Sequence, residues 1–214
     1  MNMKKYNILK SLTDLGVVAV VRGKSKDEAI KISEASIKGG LNAIEVTFTT
    51  PNAESAIREL SDKFGDSAII GAGTVLDSET ARIAILAGAK FIVSPNFNKN
   101  IAKLCNRYGI PYLAGCMTIT EVVNAIEYGV DIVKLFPGGA FGPSIVKDIL
   151  GPLPHVSIMP TGGVSLANIG QWIDNGVVAV GIGSALYKPA ETGDFEGVSK
   201  LAEEFVLAVK KARG

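Results

Sequence analysis

A lysine stands in the middle of the apolar run DIVKLF, residues 131–136. Because a buried ammonium group is costly without a partner, Lys134 needs an exit to solvent, an acidic partner, or a use for its uncharged form. An acid occupies a similar run, AIEVTF at 43–48, in which strand alternation places Glu45 and Thr47 on the same face. An acid and an amine that meet inside one fold form either a structural ion pair or a catalytic couple. The chemistry open to this pair therefore depends on the elements that position it.

Both runs belong to a pattern that occurs eight times along the chain: a helix-like stretch, a glycine, and a short apolar run. A glycine that follows a helix favours a left-handed C-cap, and short β-branched runs without polar alternation are typical of parallel strands buried on both faces. The eight glycines, 20 to 25 residues apart, are Gly16, Gly40, Gly65, Gly88, Gly109, Gly129, Gly151 and Gly176. Capping pairs predict helix starts after the first and fifth runs; they are Ser25 with Glu28, and Thr118 or Thr120 with Glu121.

Eight strand–helix units of this size predict a (β/α)8 barrel that occupies residues 1–214 as one domain. The segment MNMKKYNILKSLTDLG predicts a short amphipathic helix before the first strand. The alternative is a doubly wound open sheet. That fold normally opens its first helix with GxGxxG, and the corresponding segment here, VVAVVRGKSKDEA, does not.

In a (β/α)8 barrel the active site lies at the C-terminal ends of the strands, so residues late in each run are the candidates. The positions are Arg22, Glu45, Thr47, Thr49, Thr74, the Ser94–Pro95 pair and Lys134. Taken alone, each is equally well interpreted as a satisfied polar group of the barrel interior. The single histidine, His155, precedes the seventh strand, so we expect it at the opposite, structural end.

Glycine turns follow the seventh and eighth strands, in PTGGV (160–164) and GIGSAL (181–186). Each precedes a predicted helix, where bare backbone N–H groups and the positive end of the helix dipole can bind an anion. Phosphate sites of these barrels commonly lie after the same two strands. We therefore predict a phosphate site formed by Thr161, Gly162, Gly163, Gly183 and Ser184.

Composition argues against several classes of function. The chain has 22 Lys+Arg against 21 Asp+Glu, a net charge of +1, which disfavours nucleic acid and anionic membranes as partners. No apolar stretch approaches the roughly 20 residues of a membrane span, and the N-terminal segment lacks the apolar core of a signal peptide, so we expect a cytoplasmic protein. Cys105 and Cys116 form no CxxC pair and are expected to be reduced structural thiols. With one histidine in the chain, we expect no metal and no other cofactor.

Six segments, in order and over nearly the whole chain, resemble one family. They are GGLNAIEVTFTTP (39–51), GAGTV (71–75), SPNF (94–97), KLFPGG (134–139), PTGGV and GIGSAL. The resemblance is to the 2-keto-3-deoxy-6-phosphogluconate (KDPG) aldolases, which are also active on 4-hydroxy-2-oxoglutarate (KHG). It implies a homotrimeric class I aldolase barrel that cleaves KDPG to pyruvate and glyceraldehyde 3-phosphate.

The same resemblance implies roles for individual residues. Lys134 would form a Schiff base with the keto group of the substrate, and Glu45 would be the acid/base. Thr74 and Pro95 would line the pyruvate pocket, and Phe136 would shield the imine from bulk water. Thr47, on the same strand face as Glu45, is included among the substrate-binding residues.

One position departs from the family pattern. Thr49 stands where well-known members carry an arginine that grips the substrate carboxylate. Arg22, at the end of the first strand and beside the second, could supply a bidentate guanidinium instead. This departure leaves open the carboxylate ligand and the preference between gluconate- and galactonate-derived substrates, which differ at C4.

Two other functions fit a phosphate-binding barrel. An isomerase, epimerase or decarboxylase would explain the glycine turns, but it has no obvious need for a lysine beside Leu135 and Phe136 in the sixth strand. A non-catalytic phosphosugar sensor is expected to lose Glu45 and Lys134, and this chain retains both.

Overall fold

The computed structural model describes residues 3–214, in which helix α1 comes first and eight strands then alternate with helices. The strands are β1 Val17–Val21, β2 Ala43–Thr47, β3 Ile69–Gly73, β4 Ile92–Val93, β5 Tyr112–Cys116, β6 Ile132–Leu135, β7 Ser157–Pro160 and β8 Val180–Ile182. The helices are α1 Lys4–Leu15, α2 Lys26–Lys38, α3 Ala53–Phe64, α4 Ser78–Leu86, α5 Lys99–Tyr108, α6 Ile119–Glu127, α7 Ile145–Leu150, α8 Ile169–Asp174, α9 Ser184–Tyr187 and α10 Phe195–Arg213. No helix of this range is long and apolar enough to cross a lipid bilayer.

The strands form one parallel sheet in the order β7-β6-β5-β4-β3-β2-β1-β8. A parallel bridge between Thr161 and Gly181 joins the region of β7 to β8, so the sheet closes into a barrel with a thin seam at this point. The predicted (β/α)8 barrel with a helix before its first strand is confirmed. The alternative of an open doubly wound sheet is wrong.

Alternation along the strands divides the core into two layers. Outward side chains, such as Val17, Ala19 and Ile44, pack beneath the surrounding helices. The inward side chains of the lower barrel are Val18, Ala43, Phe91, Val93, Leu113, Ile132, Met159 and Ala179. Two residues further along their strands, the same inward face carries Glu45 and Lys134.

Helix α1 closes the N-terminal end of the barrel. Its buried side chains Ile8 and Leu12 pack on the lower inward layer. Arg213, at the end of α10, donates from Nη1 to the carbonyl oxygens of Thr13 and Asp14 at 2.7 and 2.9 Å, and from Nη2 to Val178 at 2.6 Å. This floor is therefore both packed and hydrogen-bonded, and the exposed His155 lies at the same end, as its position before β7 predicts.

The glycine pattern holds at seven of its eight positions. Those seven glycines have positive φ, from 53° to 104°, at or just after a helix end. Gly151 is the exception, because its φ of −55° and ψ of −61° continue the helical conformation of α7. The predicted left-handed cap is wrong at Gly151, and Gly65, whose ψ is −118°, has a positive φ without the left-handed helical conformation.

The predicted capping boxes also differ from each other. At α6, Thr118 and Glu121 form a complete box, whereas Thr120 lies inside the helix and caps nothing. At α2, the Ser25 side chain accepts from the Glu28 N–H. The Glu28 carboxylate accepts from the backbone N–H of Lys24 rather than that of Ser25, so this box is only half formed.

The two cysteines are free and buried, Cys105 in α5 and Cys116 at the end of β5. Burial raises the pKa of each thiol to about 12. Both thiols are therefore protonated near neutral pH and poorly reactive. Within residues 3–214 no cluster of three or more His, Cys, Asp or Glu side chains is arranged to hold a metal ion.

Candidate active site

Lys134 and Glu45 meet inside the barrel, because β6 and β2 lie on opposite sides of it. Their side chains are 6% and 0% exposed, and Lys134 Nζ lies 3.5 Å from Glu45 Oε1. This separation is longer than an ordinary N–H···O hydrogen bond of about 2.7–3.2 Å. The pair is an ion-pair contact in which both carboxylate oxygens have no hydrogen-bond partner among the described residues.

A glycine on the neighbouring strand makes room for the Glu45 carboxylate. A Cβ at Gly73 would lie 2.0 Å from Glu45 Oε1, so no larger residue fits there without moving the acid. Burial raises the pKa of Glu45 above its ordinary value of 4.5, although the positive charges of Lys134 and Arg22 oppose this effect. A carboxyl group whose pKa is raised towards neutrality is well placed to take up and return a proton.

Lys134 is enclosed by its neighbours. It lies in register between Gly115 of β5 and Met159 of β7. Its Nζ is 5.2 Å from the centroid of the half-buried Phe136 ring. Of the three explanations for a lysine in an apolar strand, an exit to solvent is wrong. An acidic partner is present, but it is not held by the short, fully hydrogen-bonded contact that a stable buried salt bridge requires.

Threonine hydroxyls form hydrogen bonds that connect the end of β1 to β2. The Thr47 hydroxyl donates to the Val21 carbonyl oxygen at 3.0 Å and lies 2.8 Å from the Thr49 hydroxyl. Thr47, predicted as a substrate ligand, thus commits its hydroxyl to the strand end that carries Arg22. Arg22 itself is exposed at the mouth of the barrel, and its charge acts on Glu45.

Thr74 and Pro95 follow β3 and β4 at the same end of the barrel. Thr74 has a φ of 55°, a left-handed conformation that is uncommon for a β-branched residue. Strained residues of this kind cluster at functional sites. The Pro95 carbonyl packs so closely on Gly115 that a Cβ there would lie 2.1 Å from it. Because Gly115 is the neighbour of Lys134 in register, Pro95 lies on the side of the mouth occupied by the amine.

A cavity of about 420 Å³ opens at the ends of β1, β7 and β8. Its lining includes Arg22 and Phe136, which connect it to the Lys134–Glu45 pair. All five residues predicted to bind phosphate line it: Thr161, Gly162, Gly163, Gly183 and Ser184. Ser165 and Tyr187 line it as well, and no motif in the sequence had indicated them.

The glycine turn after β7 does not lead directly into a helix. Gly162 and Gly163 have φ values of 86° and 75°, but α8 begins only at Ile169, so the predicted helix N-terminus behind this turn is wrong. The side chain of Asn168 closes the intervening loop. Its Nδ2 donates to the Gly163 carbonyl oxygen at 2.8 Å, and its Oδ1 accepts from the Ser165 N–H at 2.9 Å.

The turn after β8 does open a helix, since Gly183 is the N-cap of α9, but α9 has only four residues. The stronger feature is a set of unpaired polar groups. The backbone N–H groups of Gly163, Gly183 and Ser184 donate to no backbone carbonyl in the described range, and the buried Thr161 hydroxyl has no partner. A Cβ at Gly183 would meet nothing within 4 Å, so the space above it is open. This arrangement suits an anion with several acceptor oxygens.

Known proteins are similar to this chain over almost its full length. Residues 8–201 match the family model described as KDPG and KHG aldolase. A 2-dehydro-3-deoxy-6-phosphogalactonate aldolase of Escherichia coli (strain K12) is 36% identical, over 94% of this chain and 97% of that protein. A 2-dehydro-3-deoxy-phosphogluconate aldolase of Treponema pallidum (strain Nichols) is 34% identical, over 94% and 97%.

A solved structure shares the fold as well as the sequence pattern. It is the KDPG aldolase of Legionella pneumophila with pyruvate captured at low pH as a covalent carbinolamine intermediate. It has a TM-score of 0.81 and 29% identity, over 88% of this chain and 92% of that one. On the match over residues 8–201 and on relatives that are carbon–carbon lyases by name, this chain belongs to the KDPG and KHG aldolase family.

Proposed function

We propose that this protein is a class I aldolase that cleaves 2-dehydro-3-deoxy-6-phosphogluconate to pyruvate and glyceraldehyde 3-phosphate through a Schiff base on Lys134. The observation that carries the proposal is the buried contact between Lys134 and Glu45, in which neither carboxylate oxygen is hydrogen-bonded. A tight structural salt bridge would leave no reactive group, whereas this couple keeps both partners available to a substrate.

The reaction begins when the neutral amine of Lys134 adds to the C2 keto group and forms a carbinolamine, which loses water to give an iminium ion. The C3–C4 bond then breaks, and its electron pair moves into the iminium to form an enamine of pyruvate. The C4 hydroxyl loses its proton and becomes the aldehyde of glyceraldehyde 3-phosphate. Protonation of the enamine at C3 and hydrolysis of the iminium release pyruvate and restore the amine.

Glu45 is the group that moves these protons. Its raised pKa supports a carboxyl that gives a proton to the departing water and removes one from the C4 hydroxyl. Phe136, next to the amine and half-buried, shields the iminium from bulk water. Thr74 and Pro95 line the pyruvate end of the site.

The phosphate end occupies the cavity at β7 and β8. The free N–H groups of Gly163, Gly183 and Ser184 and the hydroxyls of Thr161 and Ser184 support phosphate binding, since charge-assisted hydrogen bonds are the strong ones. Gly162 lets the chain turn beside this space. Arg22, which lines the same cavity, provides the guanidinium for the substrate carboxylate in place of an arginine at position 49.

A second substrate is favoured by a specific observation. The Escherichia coli relative that is 36% identical carries the name of the galactonate-derived aldolase. We therefore include 2-dehydro-3-deoxy-6-phosphogalactonate, the C4 epimer, among the substrates to be tested, and the matching KDPG and KHG family model adds 4-hydroxy-2-oxoglutarate. Steady-state kinetics on the two phosphorylated epimers and on the short diacid rank them directly.

The remaining parts of the proposal concern the assembly. We infer a single catalytic domain over residues 1–214 that works as a cytoplasmic homotrimer. Large apolar side chains exposed on α4 and at the start of α6, among them Ile83, Leu86 and Ile119, support contact between copies of the chain. Sedimentation equilibrium, with an expected mass three times that of one chain, tests the trimer.

The decisive test of the activity is borohydride trapping. Incubation with pyruvate and borohydride should attach a pyruvyl group irreversibly to Lys134, because hydride reduces the iminium to a stable secondary amine. Peptide mass spectrometry locates the label. Lys134→Ala should abolish both labelling and turnover, while Lys90→Arg, a change at a partly buried lysine paired with Asp66, is the matched control and should alter neither. Labelling at a different lysine, or turnover by Lys134→Ala, would disprove the mechanism.

A further inference from the structure

The loop after β4 is held by a network of hydroxyl and backbone groups. The Tyr112 hydroxyl lies 2.5 Å from Ser94 Oγ and 3.1 Å from the carbonyl oxygen of Asn96, and it accepts from the Asn98 N–H at 3.2 Å. The Ser94 hydroxyl in turn donates to the Asn96 carbonyl oxygen. Tyr112 is 3% exposed and Ser94 is 0% exposed, so the contact between the two hydroxyls is shielded from water, while the bonds to Asn96 and Asn98 are partly buried. One phenol thus contacts three residues of a five-residue loop.

The same network reaches the loop after β3. Asn98 Nδ2 donates to the Leu76 carbonyl oxygen at 3.1 Å, while Asn98 Oδ1 caps α5 by accepting from the N–H groups of Asn100 and Ile101. Leu76 is two residues beyond Thr74, the residue in the left-handed conformation. The two loops that carry Thr74 and Pro95 are therefore linked through Asn98.

Pro95 connects this loop to the strand that lies beside Lys134. Its carbonyl packs on the bare Cα of Gly115, and Gly115 lies beside Lys134 in register. Tyr112 stands on the same strand as Gly115 but points outward, so its ring packs in the outer layer while its hydroxyl reaches the loop above. The phenol is thus outside the site and can act on it only through the loop.

We propose that the Tyr112 hydroxyl is a positioning group for the keto-acid end of the site, because it fixes the Ser94–Asn98 loop and so sets Pro95 beside Lys134. This inference rests on the proposed function. Burial raises the pKa of Tyr112 to about 12, so the phenol is protonated and able to donate throughout the neutral range. Its removal would leave Ser94 Oγ and the Asn98 N–H short of a buried partner, which favours a shift of the loop.

The test is the pyruvate dependence of borohydride trapping in Tyr112→Phe. Misplaced contacts around a reacting atom have large effects, so we expect the pyruvate concentration for half-maximal trapping to rise roughly tenfold. The kcat/KM for the phosphorylated substrate and for 4-hydroxy-2-oxoglutarate should fall by the same factor, because both present the same keto-acid end. Tyr108→Phe, which removes an exposed phenol on α5, is the matched control and should leave all three values unchanged.

A purely structural role predicts a different result. Loss of stability lowers the melting temperature and the amount of folded enzyme, but it does not change the pyruvate concentration at half-saturation. Wild-type half-saturation in Tyr112→Phe would therefore overturn the proposal. If that variant does not fold, Ser94→Ala decides in its place, because it removes the hydroxyl that lies 2.5 Å from the phenol, and the same rise is expected. Failure of the wild-type protein to be labelled at Lys134 would instead overturn the proposed function.

Discussion

The two ends of the barrel are built from the same eight strands with the same alternation, yet they differ in how completely their polar groups are paired. At the floor, Leu12 is 1% exposed against apolar neighbours, and Arg213 donates to three backbone carbonyls. At the mouth, both oxygens of Glu45 and the hydroxyl of Thr161 are buried without a hydrogen-bond partner, and the Glu45 carboxylate has only the 3.5 Å ion-pair contact with Lys134. Thr74 holds a left-handed conformation nearby.

This difference separates stability from function. A buried polar group without a partner costs about 1–3 kcal/mol, so a mouth arranged only for stability would pair these groups or replace them. The floor shows that the chain is able to do so. The groups of the mouth without a hydrogen-bond partner include those that the proposed function assigns to a 2-keto acid phosphate.

Replacement of Glu45 should have the largest effect of the changes considered next. Glu45→Gln keeps the size of the side chain but removes the base, and we expect kcat to fall by about 10²–10⁴ while pyruvate can still be trapped on Lys134. The raised pKa of Glu45 also predicts the pH profile. Because the base works when ionised, kcat/KM of the wild type should fall as pH drops through a value above 4.5, and this limb should be absent from the variant.

Turnover near the wild-type level in Glu45→Gln would assign the proton transfers to another group. If kcat/KM of the wild type instead falls at a pH at or below 4.5, burial does not raise the pKa of Glu45 in the working enzyme. Either result would remove the main distinction between the two ends of the barrel.

Substitutions at the phosphate end should have the next largest effect on catalysis. Ser184→Ala deletes a donor worth about 1.5–3 kcal/mol, and Gly183→Val fills space that is open in the cavity, so each should lower kcat/KM for the phosphorylated substrate roughly 10- to 100-fold. The unphosphorylated 4-hydroxy-2-oxoglutarate does not reach these residues and should be affected much less. Equal losses on both substrates would mean that the loops support the fold rather than bind phosphate.

Substitutions of Arg22 should have a smaller effect, and they should show which group of the substrate Arg22 binds. Arg22→Ala should raise KM by about tenfold for phosphorylated and unphosphorylated substrates alike, since both present a carboxylate. Arg22→Lys keeps the charge but loses the bidentate geometry, so it should restore only part of the loss. A rise confined to the phosphorylated substrate would instead assign Arg22 to the phosphate, since Arg22 lines the cavity proposed for that group.

A change at the floor should have the smallest effect on catalysis. Leu12→Ala removes a buried side chain of α1 and should lower the free energy of unfolding by about 2–5 kcal/mol. The kcat/KM of the folded enzyme, measured well below its melting temperature, should remain at the wild-type value. A specific loss of activity would show that the floor and the mouth are coupled.

The fold was predictable from sequence because its signals are local. A glycine that ends a helix and a β-branched run that follows it each act within a few residues, and all eight runs contain a strand. Where the local signal was weaker, the prediction was wrong. Gly151 follows the short helix α7 and adopts a helical conformation, and the loop after β7 is closed by Asn168 instead of leading at once into α8.

The candidate site was predictable only in part. Strand alternation and the position of active sites in these barrels predicted that Glu45, Lys134 and the five residues proposed to bind phosphate lie at one end. The structure brings Glu45 and Lys134 into contact and places the other five around one cavity at the same end. Tyr112 was not found, because it faces outward in its strand and acts through a loop whose path no periodicity encodes. Ser165 and Tyr187 reach the cavity from segments after the strand ends, where alternation gives no guide.

The empty side-chain position at Gly73 changes how a mutational scan of this protein should be read. In alanine scanning, glycine to alanine counts as a conservative substitution. A scan ranks each residue by the activity lost when its side chain is replaced. At Gly73 the added methyl carbon would lie 2.0 Å from Glu45 Oε1, so even this small substitution would displace the acid. Gly73→Ala should therefore score with the most damaging variants, although Gly73 has no atom that takes part in the reaction.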